Sequence, residues 1–450
     1  MRLTFGTDGV RGVANSELSV ELSVALGRAT ARVLGSDAFV VGRDTRISGP
    51  LIMSALSAGL AAEGADVIDL GVMPTPGVAA TASQRDLPGA VISASHNPFP
   101  DNGVKLLGRG GTKLGDDVER AVEEELGALL TGAAQHHDLP SGAEVGTIRA
   151  DPGAAGRYLD GLRASLEGRS LDGLRLVLDC ANGAASDYAP RLFSSLGADV
   201  SVLCAEPDGV NINAGCGSTH PGKLQAEVVA QGADAGVALD GDADRLLAVD
   251  AAGRLVDGDQ IMAMCALDLD RRGELPDSTV VATVMSNLGF RLAMEQAGVQ
   301  VHETPVGDRH VLAALDANGW RLGGEQSGHV IFRHLATTGD GMLTGLQVLD
   351  LMKRSGQSLD ALADVAMTRL PQELRSVRVA DPTHLSEAAA VWELAAEVER
   401  SLAGRGRVLI RVSGTEPVVR VMVEADDHDA AVDAVSRLCS AVEEALGRAG

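Results

Sequence analysis

The stretch Leu174–Arg245 decides the fold: it contains LRLVLDCANG (174–183), LFSSLGADVSVL (192–203) and AGVALDGDADR (235–245). A short apolar strand leads into a helical stretch stopped by Gly197, a second β-rich run follows, and a third strand opens into a polar loop. The same order recurs on both sides. Upstream, AFVVGRDTR (38–46) precedes a helical stretch ending in AEGADVIDLG (62–71), and GAVIS (89–93) opens into SASHNP (93–98). Downstream, STVVATVMSN (278–287), LAMEQAGVQVHE (292–303) and WRLG (320–323) lead to GEQSGH (324–329). Gly64, Gly197 and Gly298 sit where a helix needs its C-terminal stop. Strand–helix–strand alternation of this kind predicts three related α/β domains with substantially parallel pairing. Ligands of such sheets bind outside the carboxyl ends of strands, so the three polar loops are expected to face a shared cleft.

From about Thr368 the pattern changes. VLIRVSGTEPVVRVMVEA (408–425) reads as two strands around a turn, and HDAAVDAVSRLCSAVEEALGR (428–448) as an amphipathic closing helix, which predicts a smaller α+β domain. A polar stretch between Leu130 and Pro152 and the turn-rich DAAGR at 250–254 mark earlier boundaries. The predicted domains are 1–150, 151–250, 251–367 and 368–450.

The 450 residues carry 38 Lys and Arg against 62 Asp and Glu, a formal charge of −24. That balance argues against a nucleic-acid or membrane partner, since both require a basic face. Only two Trp, two Tyr and six Phe are present, which leaves no obvious base-stacking set. The 54 glycines, about 12% where about 7% is usual, point to many tight turns and close backbone approaches. Five scattered cysteines with no CxxC pair fit a reducing cytoplasm better than a disulfide framework or zinc ribbon. Neither a signal-peptide core nor a run of 18 apolar residues occurs, so a cytoplasmic location is expected.

The sharpest local signal is Asp240-Gly-Asp242-Ala-Asp244-Arg245. Alternation puts three carboxylates on one side of an extended loop, where they repel unless a divalent cation reverses the sign. An EF-hand wants glycine at loop position six and glutamate at twelve, and here those are Arg245 and Ala251. Few oxygen ligands beside an arginine suit Mg²⁺ completed by a phosphate oxygen. In SASHNP, Ser95 sits on a turn after a strand with its hydroxyl open to chemistry, although SHNP alone also reads as a capping turn. Lys105 serves as an acid or base only if its pKa is lowered, and otherwise reads as a surface lysine. Glu325, Ser327 and His329 alternate among glycines in GGEQSGH, a set suited to polyol hydrogen bonding with an imidazole able to move a proton. Gly307-Asp308-Arg309 adds another candidate cation. In RVSGTE, the backbone of Ser413, Gly414 and Thr415 suits an anion nest, with Arg411 and Arg420 able to bind a phosphate; a plain hairpin is the alternative. Walker A and GxGxxG patterns are absent, which disfavours P-loop hydrolysis and NAD binding.

Taken together and in this order, SASHNP, DGDADR, GGEQSGH and RVSGTE resemble the four signature loops of the α-D-phosphohexomutase superfamily. FGTDGVRG (5–12) and NINAGCGSTHP (211–221) are similar to those of its bacterial phosphoglucosamine mutase branch. The resemblance covers essentially the whole chain. It implies three similar α/β domains around a central cleft, followed by a TATA-binding-protein-like fourth. It also implies reversible conversion of glucosamine 6-phosphate to glucosamine 1-phosphate, feeding UDP-N-acetylglucosamine and peptidoglycan synthesis. Same-fold phosphomannomutase/phosphoglucomutase activity, a non-catalytic sugar-phosphate sensor and a phosphatase are the competing readings.

By the same resemblance Ser95 is the phosphoserine, the intermediate is glucosamine 1,6-bisphosphate, and Mg²⁺ is held by Asp240, Asp242, Asp244 and the Ser95 phosphate. Arg245 lies beside that metal, and Arg11 supports the phosphoserine loop. Lys105 and His329 are the candidates for proton transfer, and Glu325 and Ser327 for holding ring hydroxyls. Arg411, Ser413, Gly414, Thr415 and Arg420 hold the phosphate that is not reacting, and the expected assembly is a homodimer. An anionic substrate on an acidic protein requires positive charge to converge locally, from Arg11, Lys105, Arg245, Arg309, Arg411 and Arg420. Two departures stand out. Ala243 replaces the usual central glycine of the metal loop, which is harmless unless that position needs a positive φ. His310 stands where the family usually has tyrosine and receives no role.

Overall fold

Apolar runs buried on both faces, such as Ala38–Arg43, Arg175–Asp179 and Thr279–Thr283, become the interior strands of three sheets in a computed structural model that describes residues 9–133, 138–413 and 418–447. In the first sheet the order is Val10–Val13, Asp101–Leu107, Gly89–Ile92, Ala38–Arg43, Asp66–Val72, Ile148–Ala150. The second runs Leu255–Val256, Leu246–Asp250, Ala235–Leu239, Arg175–Asp179, Asp199–Leu203, and the third Gln300–Thr304, Thr279–Thr283, Leu322–Gly324, Val330–Phe332.

The three share one plan. The first strand of each repeat lies between the second and the third, parallel to both. The third strand then turns back into an antiparallel neighbour: Gly89–Ile92 into Asp101–Leu107, Ala235–Leu239 into Leu246–Asp250, Leu322–Gly324 into Val330–Phe332. The sheets therefore keep the expected parallel pairing among the first three strands of each repeat and become mixed only where the third strand turns back. The reason is length, because each polar loop is too short for a helical crossover and only a hairpin closes it. SASHNP, DGDADR and GEQSGH occupy those three hairpin loops. Local chemistry sets the flanking helices: Ser19 caps Val20–Leu34, Asp257 and Gln260 form a capping box at Gly258–Arg271, and Asp340 caps Gly341–Ser355.

The chain divides into two units: one ends at Met285 and resumes over Val299–Asp364, and the other joins Ser286–Gly298 to the residues from Val365 onward. The second unit carries an antiparallel sheet in the order Gln372–Arg378, Val418–Glu424, Arg407–Val412, packed by helices Ala389–Leu402 and His428–Leu446 around Val391, Val398, Val421, Val435 and Leu438. Helix Leu288–Ala297, which belongs to the third repeat in chain order, is part of this unit. The fully buried Glu424 explains why: its carboxylate accepts from Leu288 N at 3.0 Å, Gln372 Nε2 at 2.9 Å and Arg407 Nε at 2.5 Å. Arg407 in turn donates to Ser286 O at 2.5 Å, and the Asn287 side chain exchanges two 3.0 Å bonds with Leu370. Among the described residues no helix is long and apolar enough to cross a membrane. Because removing one partner strands a buried charge, Glu424→Ala should destabilise this unit by about 3–5 kcal/mol. The unfolding midpoint and amide exchange in Leu288–Ala297 check this; unchanged exchange there would contradict it.

Candidate active site

The first and second hairpin loops meet at Ser95. Its Oγ donates to Asp240 Oδ2 at 2.6 Å, and its backbone is left-handed with φ 49°. That turn is held by its carbonyls. The fully buried Arg46 pairs with Asp44 at 2.9 Å while Nη1 donates to Pro98 O at 2.5 Å and Asp101 O at 3.0 Å. Its Nη2 donates to Ser95 O at 2.9 Å and Asn97 O at 2.8 Å, and Asn213 Nδ2 donates to the same two oxygens at 2.9 and 3.1 Å. Asp44 also accepts from Ser93 Oγ at 2.6 Å, and that oxygen accepts from Ser95 N at 2.9 Å. Neither Arg46 nor Asn213 is among the sequence candidates. The available signal was Asp44-Thr-Arg46 just beyond the carboxyl end of an interior strand, the edge where such folds place their sites.

The second loop brings carboxylate oxygens of Asp240, Asp242 and Asp244 within 4.8 Å of one another, with all three residues buried. Lys105 Nζ bridges Asp242 at 2.8 Å and Asp244 at 3.2 Å, and Thr75 Oγ1 donates to Asp242 at 2.6 Å. Burial, then repulsion from Asp244 and Asp242, pushes the Asp240 carboxyl well above the usual range. Burial acts on Asp242 in the same direction, yet the charge and hydrogen bond of Lys105, the Thr75 hydroxyl and the Arg11 charge together hold it below that range. Asp242 Oδ1 and Asp244 Oδ1 are buried with no hydrogen-bond partner. Three convergent carboxylates with two orphaned oxygens are what a hard divalent cation needs, so the residues present fit a metal.

Three consecutive carbonyls of this loop are satisfied from three different places. Gly241 O accepts from Ala184 N at 2.8 Å, Asp242 O from Thr75 N at 2.9 Å and Ala243 O from Gly341 N at 3.0 Å. Gly241 is required by proximity, because a Cβ there would lie 2.6 Å from Ser95 O. Ala243 has φ 59°, so the position that usually carries glycine does adopt left-handed backbone, and the substitution is a strained one. Arg245 Nη1 donates to His96 Nδ1 at 2.9 Å, and burial followed by the charges of Arg245 and Arg11 lowers the His96 pKa to about 4. His96 is therefore neutral near pH 7. Arg11 lies on the edge strand paired with Gly103, and its charge reaches Asp242 as well.

In the third loop, Glu325 Oε1 accepts from Gly307 N at 3.1 Å, and Ser327 Oγ lies 3.5 Å from Oε2. His329 is 3% exposed, and neither ring nitrogen has a hydrogen-bond partner; Nε2 is 3.8 Å from Asp308. Gly339 lies against that ring, where a Cβ would come within 2.5 Å of Nε2. Arg309 is not a free cation for substrate: it pairs with Asp116 at 2.6 Å and Glu119 at 3.0 Å, while Lys113 pairs with Asp308 at 2.5 Å. The sequence placed Arg309 with the substrate cations because its acidic partners lie nearly two hundred positions away in the chain. His310 is exposed.

In the C-terminal unit, Arg411 and Arg420 face each other across the hairpin, and Ser413 N donates to Val418 O at 2.9 Å. Burial, then the Arg420 charge, lowers the Arg411 pKa, a like-charge pairing that a bound anion would relieve. Gly414 and Thr415 lie outside the described residues.

A hairpin-borne serine over a three-carboxylate loop, repeated sheets and a C-terminal α+β unit define a class. Family models described as phosphoglucomutase/phosphomannomutase match in four parts: α/β/α domain I at 2–130, domain II at 156–253, domain III at 257–370 and the C-terminal domain at 374–440. The chain belongs to this family. Over 459 aligned residues it is 52% identical to a phosphoglucosamine mutase of Frankia alni, covering 99% of each chain. A phosphoglucomutase/phosphomannomutase family protein of Burkholderia thailandensis superposes with TM-score 0.82 at 26% identity, covering 99% of this chain and 98% of that one. An N-acetylphosphoglucosamine mutase of Aspergillus fumigatus, solved with GlcNAc-6P and magnesium, shares the fold at TM-score 0.70 and 20% identity, over 99% and 96% of the two chains.

Two outcomes follow from this geometry. Arg46→Lys leaves several buried carbonyls of the Ser95 turn unheld and should lower turnover by roughly 100-fold and stability by about 1–3 kcal/mol; full turnover in the folded variant would remove Arg46 from the site. Ala243→Gly relieves the left-handed alanine and should raise the unfolding free energy by up to about 1 kcal/mol, read as a raised unfolding midpoint. A lowered midpoint would contradict it.

Proposed function

We propose that the chain interconverts glucosamine 6-phosphate and glucosamine 1-phosphate through phospho-Ser95 and a glucosamine 1,6-bisphosphate intermediate. The observation that carries this is the Ser95 hydroxyl bonded at 2.6 Å to the first carboxylate of the buried aspartate loop. Full-length similarity to a phosphoglucosamine mutase selects the amino sugar.

Phospho-Ser95 gives its phosphoryl group to the free sugar hydroxyl, the bisphosphate turns end for end, and its other phosphate returns to Ser95. Asp240, Asp242, Asp244 and the Ser95 phosphate would hold Mg²⁺, which when bound supplies the positive charge that phosphoryl transfer requires. Arg46 and Asn213 fix the Ser95 turn, so the nucleophile is positioned before substrate arrives. Arg245 and Arg11 add positive charge beside the transferring group. His329 and Lys105 are assigned the proton lost by the attacking hydroxyl, Lys105 only when it is released from its ion pairs with Asp242 and Asp244. Glu325 and Ser327 bind ring hydroxyls in either orientation. Arg411, Ser413 and Arg420, with Gly414 and Thr415, take the phosphate that is not reacting; the facing arginines support that assignment. The five free thiols suit a reducing cytoplasm.

Intact-protein mass spectrometry should find a phosphate-sized increment mapping to Ser95. Ser95→Ala should cut turnover by at least roughly 1,000-fold with the fold intact, and Asp242→Asn should weaken the divalent-metal dependence of the rate. A panel of glucosamine, glucose and mannose phosphates with bisphosphate activator should show the highest kcat/KM for glucosamine phosphate. Preference for mannose phosphate would replace the substrate assignment, and phosphate release matching isomer formation would replace the reaction.

A further inference from the structure

Away from the aspartate loop, a second cluster of reactive side chains lies at the carboxyl edge of the second sheet. Cys180 and Cys204 immediately follow the neighbouring parallel strands Arg175–Asp179 and Asp199–Leu203, and Cys216 comes from the loop that also carries Asn213. Ligand atoms of Asp179, Cys204 and Cys216 all lie within 4.8 Å of one another, so the Cys204 and Cys216 sulfurs are near neighbours.

The environments of these thiols differ. Cys204 is half-buried and receives a hydrogen bond from the exposed Lys223 ammonium at 3.5 Å, so positive charge sits against a sulfur near solvent. Cys216 is buried beneath it and touches Asn182 Nδ2 at 3.9 Å. Burial, then the Asp179 charge, pushes the Cys216 pKa up to about 12, and Cys180 is pushed up by burial as well. The cluster is a poor cation site. Both Asp179 oxygens already accept backbone N–H bonds, from Ala181 at 3.0 Å and Gly217 at 2.9 Å, and an ammonium occupies the face of Cys204.

We infer that Cys204 and Cys216 form a peroxide-sensitive thiol pair whose disulfide disturbs the loop that holds the Ser95 turn. The Cys204 thiolate attacks a peroxide oxygen, the O–O bond breaks, and hydroxide leaves, giving a sulfenic acid on Cys204. The Cys216 sulfur then displaces the sulfenic oxygen, which departs as water with the Cys216 proton, and the S–S bond forms. A dithiol reductant returns both thiols. The mechanical link is short: Cys216 is three positions from Asn213, whose side chain holds Ser95 O and Asn97 O. Drawing Cys216 toward Cys204 pulls that loop against the Ser95 turn. The inhibitory part rests on Ser95 being the reacting group, whereas formation of the bond does not.

The test treats full-length wild-type enzyme with hydrogen peroxide and reads thiol state and turnover separately. Peptide mapping should show a Cys204–Cys216 linkage with loss of two hydrogens, and kcat should fall roughly 10- to 100-fold and recover with dithiothreitol. Cys204→Ser should keep basal turnover and resist peroxide, while Cys180→Ser should respond as wild type does. Free thiols after treatment, an irreversible sulfinic acid on Cys204, stoichiometric zinc protecting the pair, or equal inhibition of wild type and Cys204→Ser would each overturn the inference. If Cys204→Ser folds poorly, the mapping on wild-type enzyme decides alone. A linkage that forms without changing kcat overturns the coupling. Failure of Ser95 itself is read independently, from the Ser95→Ala rate.

Discussion

Three aspartates within five residues, all buried, repel one another strongly unless positive charge reaches them. The surroundings of the loop answer that constraint. Lys105 arrives on the return strand of the first sheet, Thr75 from the start of a helix, and Arg245 from the loop itself. The backbone is fixed as firmly as the charges, since adjacent carbonyls are claimed by N–H groups from three separate parts of the chain. A loop held this way cannot spread to reduce its own repulsion. The orphaned oxygens of Asp242 and Asp244 mark where the remaining compensation must come from.

The Ser95 turn follows a complementary logic. Its carbonyls are taken by Arg46 and Asn213, and its hydroxyl is left to face the aspartate loop at Asp240. Arg46 costs little to bury because Asp44 balances its charge and four carbonyls use its donors. The acidic surface and an anionic substrate are reconciled by local charges, though less simply than a ring of free arginines. Arg309 is spent on Asp116 and Glu119, and Lys105 is shared between two aspartates.

Much of this was legible in the sequence. DGDADR, SASHNP and GEQSGH announced themselves because each packs several chemical groups into a few residues after an apolar strand, and the threefold recurrence gave the layers. The return strands did not, because Val330–Phe332 spans three fully buried residues and shows no alternation. Arg46, Thr75 and Asn213 were missed for a different reason. Each acts across a long chain separation, on Ser95, Asp242 and Ser95 respectively, and no local spacing encodes such a partner. Ala243 lay between the two cases: its neighbours identified the loop, but only the backbone angle showed that alanine is strained there.

The membership of helix Leu288–Ala297 in the C-terminal unit bears on how the protein is made. On the ribosome this helix is synthesised before Val299–Asp364, yet Glu424 and Arg407, which fasten it, come out only near the end. Leu370 reaches Asn287 early, but Leu288 N and Ser286 O wait for Glu424 and Arg407, so this helix is not fully fastened in order of synthesis. A cut between the third and fourth family domains, natural or engineered, would therefore not yield two self-sufficient pieces. Chain order and folding order part company at Ser286.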